Sequence, residues 1–188
     1  MCGWLLKRSP VYVYTDRLTI GQVQKLNPSL IISYNYTYLI DEAVIRFMNG
    51  NMINLHISYL PWNRGVSPNI WSFIDDTPKG VTIHQISPDF DTGKILYQKQ
   101  IFFDTGQETF ASSYQKLHET ITELFQEKWE EIRTQSFSLT EQQTDAGSYH
   151  SKKDMQMLQE QVGVDWNEKI ADFLKRYASI RKITERGN

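Results

Sequence analysis

Asn54 and His56 lie two residues apart in Ile53-Asn54-Leu55-His56-Ile57-Ser58, where apolar and polar residues alternate. In an extended strand, side chains two apart project to the same face. An amide beside an imidazole suits chemistry on a carbonyl: the amide stabilises an oxyanion, and the imidazole gives or takes a proton. Asp91, in Asp91-Thr92-Gly93, supplies a carboxylate that could orient and charge the imidazole. Each residue alone also has a plainer reading. His56 could be a satisfied structural histidine, Asn54 a strand-end polar group, and Asp91 a turn former. His84, in Gly80-Val81-Thr82-Ile83-His84, reads more simply as a core histidine. The same-face pair ahead of a loop bearing Pro61 and Gly65 tips the balance toward catalysis.

The elements that would hold these residues follow from local pattern. Val11 to Tyr14, β-branched and aromatic, reads as a short buried strand. A helix over Leu18 to Leu26 stops at Asn27-Pro28. Leu30 to Tyr34 is a second strand, Asp41 caps a helix ending near Asn49-Gly50, and Met52 to His56 is a third strand. Strands alternating with short helices predict an α/β fold: an open, mostly parallel sheet with helices on both faces. Ligands in such sheets sit outside the carboxyl ends of the strands, where Asn54 and His56 fall. Further on, Pro68 to Asp76 is a helix, and Val81 to Ile86 and Ile95 to Phe102 are strands forming an antiparallel edge. Thr109 to Ile132 carries Phe110, Tyr114, Leu117, Ile121 and Leu124 at helical spacing. The polar, aperiodic stretch 135–150 divides a catalytic domain, 1–134, from a helical extension, 151–188, with helices over Lys152 to Gln161 and Trp166 to Ile183.

Bulk properties remove whole classes of function. The 188-residue chain is 40% hydrophobic and 22% charged, with a net charge of -2, which gives no electrostatic footprint for nucleic acid. One cysteine, Cys2, permits no internal disulfide, and no apolar run approaches a membrane span. The first residues place their charges after their apolar side chains, the reverse of a signal peptide, so a cytoplasmic protein is expected. Neither metal-ligand spacing nor a glycine-rich phosphate loop is present.

Taken together, the segments are more specific than any one of them. Asn54-Leu55-His56-Ile57-Ser58-Tyr59-Leu60-Pro61, Arg64-Gly65, Pro68, Trp71, Gly80 to His84 and Asp91-Thr92-Gly93 resemble the catalytic core of the folate-dependent formyltransferases. The likeness runs from about Leu30 to Phe103. Ile57 stands where most of that family has Pro, and Trp62-Asn63 within the loop is most similar to the sugar N-formyltransferase branch. The resemblance implies N10-formyltetrahydrofolate as co-substrate, no metal, and Asn54, His56 and Asp91 as catalytic residues. It implies that folate is held by backbone at Tyr36, Thr37, Tyr38, Leu39 and Ile40, with Asp89 closing the other side. Trp62 and Arg64 would bound the acceptor cleft by stacking and anion pairing.

The same likeness leads to expectations about the acceptor. Family members open with a full strand and helix ahead of the strand matching Val11 to Tyr14, for which this chain has ten residues, so a fold shortened at its start is expected. The acceptor expected is an amino sugar carried on a nucleotide, in surface glycan synthesis, rather than a transfer RNA. Alternatives are hydrolysis of formyltetrahydrofolate and a non-catalytic folate-binding subunit. A homodimer is expected, with neither nucleic acid nor membrane as partner.

Overall fold

The computed structural model describes residues 1–186. In chain order the elements are α1 (Cys2–Leu5), α2 (Ile20–Leu26), β1 (Ile31–Tyr34), α3 (Glu42–Met48), β2 (Met52–His56), β3 (Arg64–Gly65), α4 (Pro68–Ile74), β4 (Gly80–Gln85) and β5 (Ile95–Gln100). They continue through α5 (Phe110–Glu127), α6 (Trp129–Arg133), a 3-10 turn at Thr144–Ala146, β6 (Tyr149–His150), α7 (Lys152–Gln161) and α8 (Ile170–Arg186).

Helix α2 starts on a reciprocal cap in which Thr19 accepts from the Gln22 N–H and the Gln22 side chain reaches back, and it ends on Asn27 in the left-handed region. Its partner α3 begins at Asp41, whose carboxylate leaves the helix uncapped and instead pairs with Arg17 at 2.7 Å. The long helix foreseen over 109–132 is two. Backbone geometry changes at Lys128, so that α5 hands over to the short α6 and both Trp129 and Ile132 still reach the core.

The main sheet has the order β1-β2-β4-β5. β1 and β2 run parallel, β4 is antiparallel to β2, and β5 is antiparallel to β4, so three of the four strands point the same way. Helices cover both faces, as expected. On one face Ile53, Leu55, Val81 and Ile83 meet Leu117, Ile121, Leu124 and Phe125 of α5, joined by Trp129 and Ile132. On the other, Met52 lies with Val23 of α2 and Val44 and Met48 of α3. Alternation along β2 therefore sends Ile53 and Leu55 into the α5 core and Asn54 and His56 to the opposite face.

Val11 to Tyr14 corrects the sequence reading. These residues form no strand, and Tyr12 and Val13 are exposed. Strand propensity is a preference for a pleated, half-buried surface, and here no neighbouring strand supplies one.

Beyond α5, the stretch 135–150 folds back over the first half of the chain. β6 pairs in parallel with β3, Thr140 bridges Ile95, and the Asn63 N–H donates to the Ser148 hydroxyl at 2.8 Å. A second core then forms where Ile70 and Phe73 of α4 meet Phe110, Leu158, Ile170 and Phe173. Phe110 is central to it: fully buried, edge-on to Phe73 and to Phe173, and at the capped start of α5. Phe110→Ala is expected to cost about 3–5 kcal/mol through the cavity it leaves. Urea unfolding should show a correspondingly lower midpoint; a loss within ~1 kcal/mol would mean the helices re-close around the gap.

Candidate active site

The antiparallel register of β2 and β4 sets Asn54 against His84 and His56 against Thr82. Facing residues of an antiparallel pair project to the same side, so four polar side chains share the face left free by α2 and α3. The turn after β4 delivers Asp91 into this group. Asp91 has a φ of 53°, in the left-handed region that Asp tolerates. Gly93 two residues later admits no side chain, because a Cβ there would lie 1.8 Å from the Gln85 carbonyl oxygen.

Asp91 is the hub. Its Oδ2 accepts the Gly65 backbone N–H at 2.9 Å, and its Oδ1 accepts from the Asn54 amide at 3.2 Å. The same Oδ1 lies 3.7 Å from Nδ1 of His56 and 3.5 Å from Nε2 of His84. His84 faces the Gln85 carbonyl through Nδ1 at 2.7 Å. That contact places the ring proton on Nδ1 and leaves Nε2 to accept from the Asn54 amide at 3.2 Å. As the structure stands, both amide hydrogens of Asn54 face acceptors. An incoming carbonyl must compete with His84 for one of them.

Burial decides the charge states. Desolvation pushes the His56 pKa down, against the pull of Asp91, and the neighbouring His84 pushes it the same way. His56 is thus held neutral, which corrects the expectation that the carboxylate would charge it. Burial alone would raise the Asp91 carboxyl, but the two imidazoles and the Gly65 N–H overcome it and hold that carboxyl well below the usual range. The ionised Asp91, 3.7 Å from Nδ1, favours the neutral tautomer of His56 with its proton there. Its Nε2 is buried and within hydrogen-bond distance of no partner among the described residues, although the Asn63 backbone also faces the ring and pulls its pKa up. Such an atom calls for an explanation, and a ligand supplies one.

The other candidates are spread around this centre. The loop 35–40 leaves the carboxyl end of β1, beside that of β2, so Tyr36 to Ile40 and the Asp89–Asp91 turn flank the centre from opposite neighbours in the sheet. Tyr36 works as a tether: its hydroxyl donates to the Asp16 carbonyl and accepts the Leu18 N–H at 2.7 Å. Tyr38 and Leu39 are exposed, while Ile40 packs with the α2–α3 cluster. The Asp89 carbonyl already accepts the Ser87 and Thr92 hydroxyls. The Trp62 carbonyl accepts from Ser58 at 2.6 Å, and among the described residues the Arg64 guanidinium reaches only the Thr144 carbonyl, at 3.4 Å, with its Nε buried and unpaired.

Two contributors escape a reading of the sequence. His84 is findable only through register, as the residue opposite Asn54. Gln142, within the stretch expected to be a linker, donates to the carbonyls of Asp91 at 3.0 Å and Gly93 at 2.5 Å. Nothing in the sequence marks it. Among the described residues, no group of three or more His, Cys, Asp or Glu could hold a metal, and no helix is long and apolar enough to cross a membrane.

Residues 13–128 match the family described as Formyl transferase. The chain belongs to that family. It is 38% identical to the formyltransferase PseJ of Anoxybacillus kamchatkensis, with a TM-score of 0.79 over 86% of this chain and 84% of that one. That structure holds UDP-4,6-dideoxy-4-formamido-L-AltNAc and tetrahydrofolate. A dTDP-4-amino-4,6-dideoxyglucose formyltransferase of Mycobacterium bovis is 32% identical over 80% of this chain and 62% of its own. A methionyl-tRNA formyltransferase of Geobacter metallireducens is 29% identical over 79% of this chain. The chain spans 47% of the length of that last protein. The match with the formyl transferase family takes in β1 through α5, and hence Asn54, His56, His84 and Asp91.

A neutral, buried His56 has a consequence for pH. Its folded pKa lies below the unfolded value near 6.5, so the unfolded chain binds more protons as the medium acidifies. The stability it contributes is complete above about pH 6.5 and is lost as pH falls through the lowered folded value. Asp91 adds a further loss only below the unfolded carboxylate value of 3.8. In urea unfolding from about pH 7.5 to 5, His56→Gln should therefore show a flatter decline than the parent. Parallel declines would mean that His56 is not held neutral.

Proposed function

We propose that this chain transfers a formyl group from N10-formyltetrahydrofolate to the amine of a nucleotide-linked amino sugar, a reaction serving glycan assembly. The observation that carries the proposal is the Asn54–His56–Asp91 cluster, with an unpartnered His56 Nε2 beside a fixed, ionised carboxylate. Support for the acceptor class comes from PseJ, whose structure pairs a formamido nucleotide sugar with tetrahydrofolate, and from a formyltransferase of Helicobacter canadensis in complex with folinic acid and dTDP-3-aminofucose.

In this reading the acceptor nitrogen attacks the formyl carbon, forming the C–N bond and placing negative charge on the formyl oxygen. The Asn54 amide turns one N–H from His84 to that oxygen. His56 Nε2 takes the proton from the attacking amine, and Asp91 stabilises the imidazolium through Nδ1. Collapse of the tetrahedral species breaks the bond to N10 of the folate, and His56 returns its proton to that nitrogen. The formyl group and one proton have exchanged places, and the enzyme is back in its starting state. The backbone of 36–40 and of Asp89 would hold the folate, and Trp62 and Arg64 would bound the acceptor.

The test is mass spectrometry of nucleotide-linked amino sugars incubated with N10-formyltetrahydrofolate, looking for the gain of one formyl group. Asn54→Ala and His56→Ala are each expected to lower turnover by about two to four orders of magnitude. Asp91→Asn keeps the shape but removes the charge and should fall in the same range. Formate release that ignores every amine would replace transfer by hydrolysis. Turnover within a few-fold of the parent in His56→Ala would sink the proton relay.

A further inference from the structure

The stretch 135–150 meets the turn of Asp91 through backbone before it does so through side chains. Ile95 and Thr140 exchange two backbone hydrogen bonds, at 2.8 and 2.9 Å, and Lys94 pairs with Glu141 at 2.5 Å. Gln142 comes next in the same antiparallel order, opposite Gly93. Its amide nitrogen donates to the Gly93 carbonyl at 2.5 Å and to the Asp91 carbonyl at 3.0 Å. Register therefore delivers this side chain to the backbone that carries the catalytic carboxylate.

Two carbonyls aimed at one point repel each other unless a donor with two hydrogens stands between them. A primary amide supplies both from a single nitrogen. The same amide leaves its Oε1 buried and without a hydrogen-bond partner among the described residues, which costs stability. A side chain serving stability alone is poorly suited by an empty buried acceptor. The turn it grips needs support from outside, because Asp91 sits in the left-handed region at a φ of 53°. The Ser87 and Thr92 hydroxyls hold the Asp89 carbonyl, at the start of the turn, and leave the carbonyls of Asp91 and Gly93 to Gln142.

We propose that Gln142 is a positioning residue for proton transfer: by holding the Asp91 and Gly93 carbonyls it keeps the Asp91 carboxylate against Nδ1 of His56. The proposal rests on the formyl-transfer reading above and adds to it a residue that acts through Asp91. Oδ1 of Asp91 is already 3.7 Å from Nδ1, so the pair has little contact to spare. A turn free to relax withdraws the carboxylate and leaves the imidazolium formed during transfer unsupported. The groups facing the His56 ring are Asp91 from the turn after β4, His84 from β4 and the Asn63 backbone from the loop after β2. Asp91 is the one that Gln142 holds. Asp91 pulls the His56 pKa up against burial, so its withdrawal lowers that pKa further. Loosening that merely admitted water would raise it toward the ordinary value. The two outcomes have opposite signs.

The experiment follows the His56 ring by NMR through a pH titration, alongside formyl-transfer kinetics, in the parent, Gln142→Met, Gln142→Asn and Glu141→Gln. Met keeps the length of Gln without its hydrogens, and Asn keeps the hydrogens without the reach. Both Gln142 variants should lower the His56 pKa and carry the acid limb of the kcat profile to lower pH, since His56 must be neutral to take a proton. On the plateau kcat should fall about ten- to a hundredfold, the cost of a small displacement, with both KM values unchanged. Glu141→Gln alters only the exposed ion pair and should match the parent. If Gln142→Met does not fold, Gln142→Asn carries the same test. A His56 pKa that stays or rises in the Gln142 variants, or an equal shift in Glu141→Gln, would overturn the proposal. So would a raised KM at unchanged kcat. The NMR readout needs no turnover and so separates the two proposals. A lowered His56 pKa in a protein that formylates no amine removes transfer and leaves the link from Gln142 to His56. Transfer with a parent-like profile in both Gln142 variants removes the link and leaves transfer.

Discussion

The constraint on which the site depends is the burial of one carboxylate. Asp91 is largely withdrawn from water, and a desolvated charge costs several kcal/mol unless its oxygens are met by donors. The Gly65 N–H and the Asn54 amide meet them, with two imidazoles alongside. The two donors belong to different pieces of chain, so the demand for them fixes β2 and the loop at Gly65 relative to one another. The turn at Gly93 and the Gln142 side chain then fix the backbone that carries the charge.

The same withdrawal from water sets the chemistry. Had the loops been open, a carboxylate near His56 would have favoured imidazolium. Buried, the pair settles as carboxylate and neutral ring. A neutral ring with its proton toward Asp91 offers a lone pair to an amine, which is what a general base requires. Position in the sheet alone does not decide between donor and acceptor. Solvent exclusion does.

What could be read from the sequence follows the range of the forces involved. Period-two alternation was enough to bring Asn54 and His56 to one face, because that follows from the strand itself. The amphipathic period of α5 and the caps at Asn27 and Asn49 were legible for the same reason. Val11 to Tyr14 was misread because a strand needs a partner, and partners are a tertiary matter. His84 is buried as expected, but its place beside Asn54 and Asp91 depends on which strand faces β2. The protonation of His56 was misjudged because burial is a tertiary matter, and the stretch 135–150 likewise has no periodicity to disclose Gln142 or the two-residue strand at Tyr149.

The return of that segment has a meaning for how the molecule comes to exist. Gln142 is 51 residues from Asp91, and Ser148 is 85 from its partner Asn63. Closing loops of this length is slow relative to helix formation, and such contacts are made after local structure is in place. On a ribosome, β2 and β4 can pair before Gln142 is made. The backbone around Asp91 is tied to Gln142 only after the chain past residue 142 has emerged. The candidate site is then finished late in folding, by a side chain that grips its backbone and not its carboxylate.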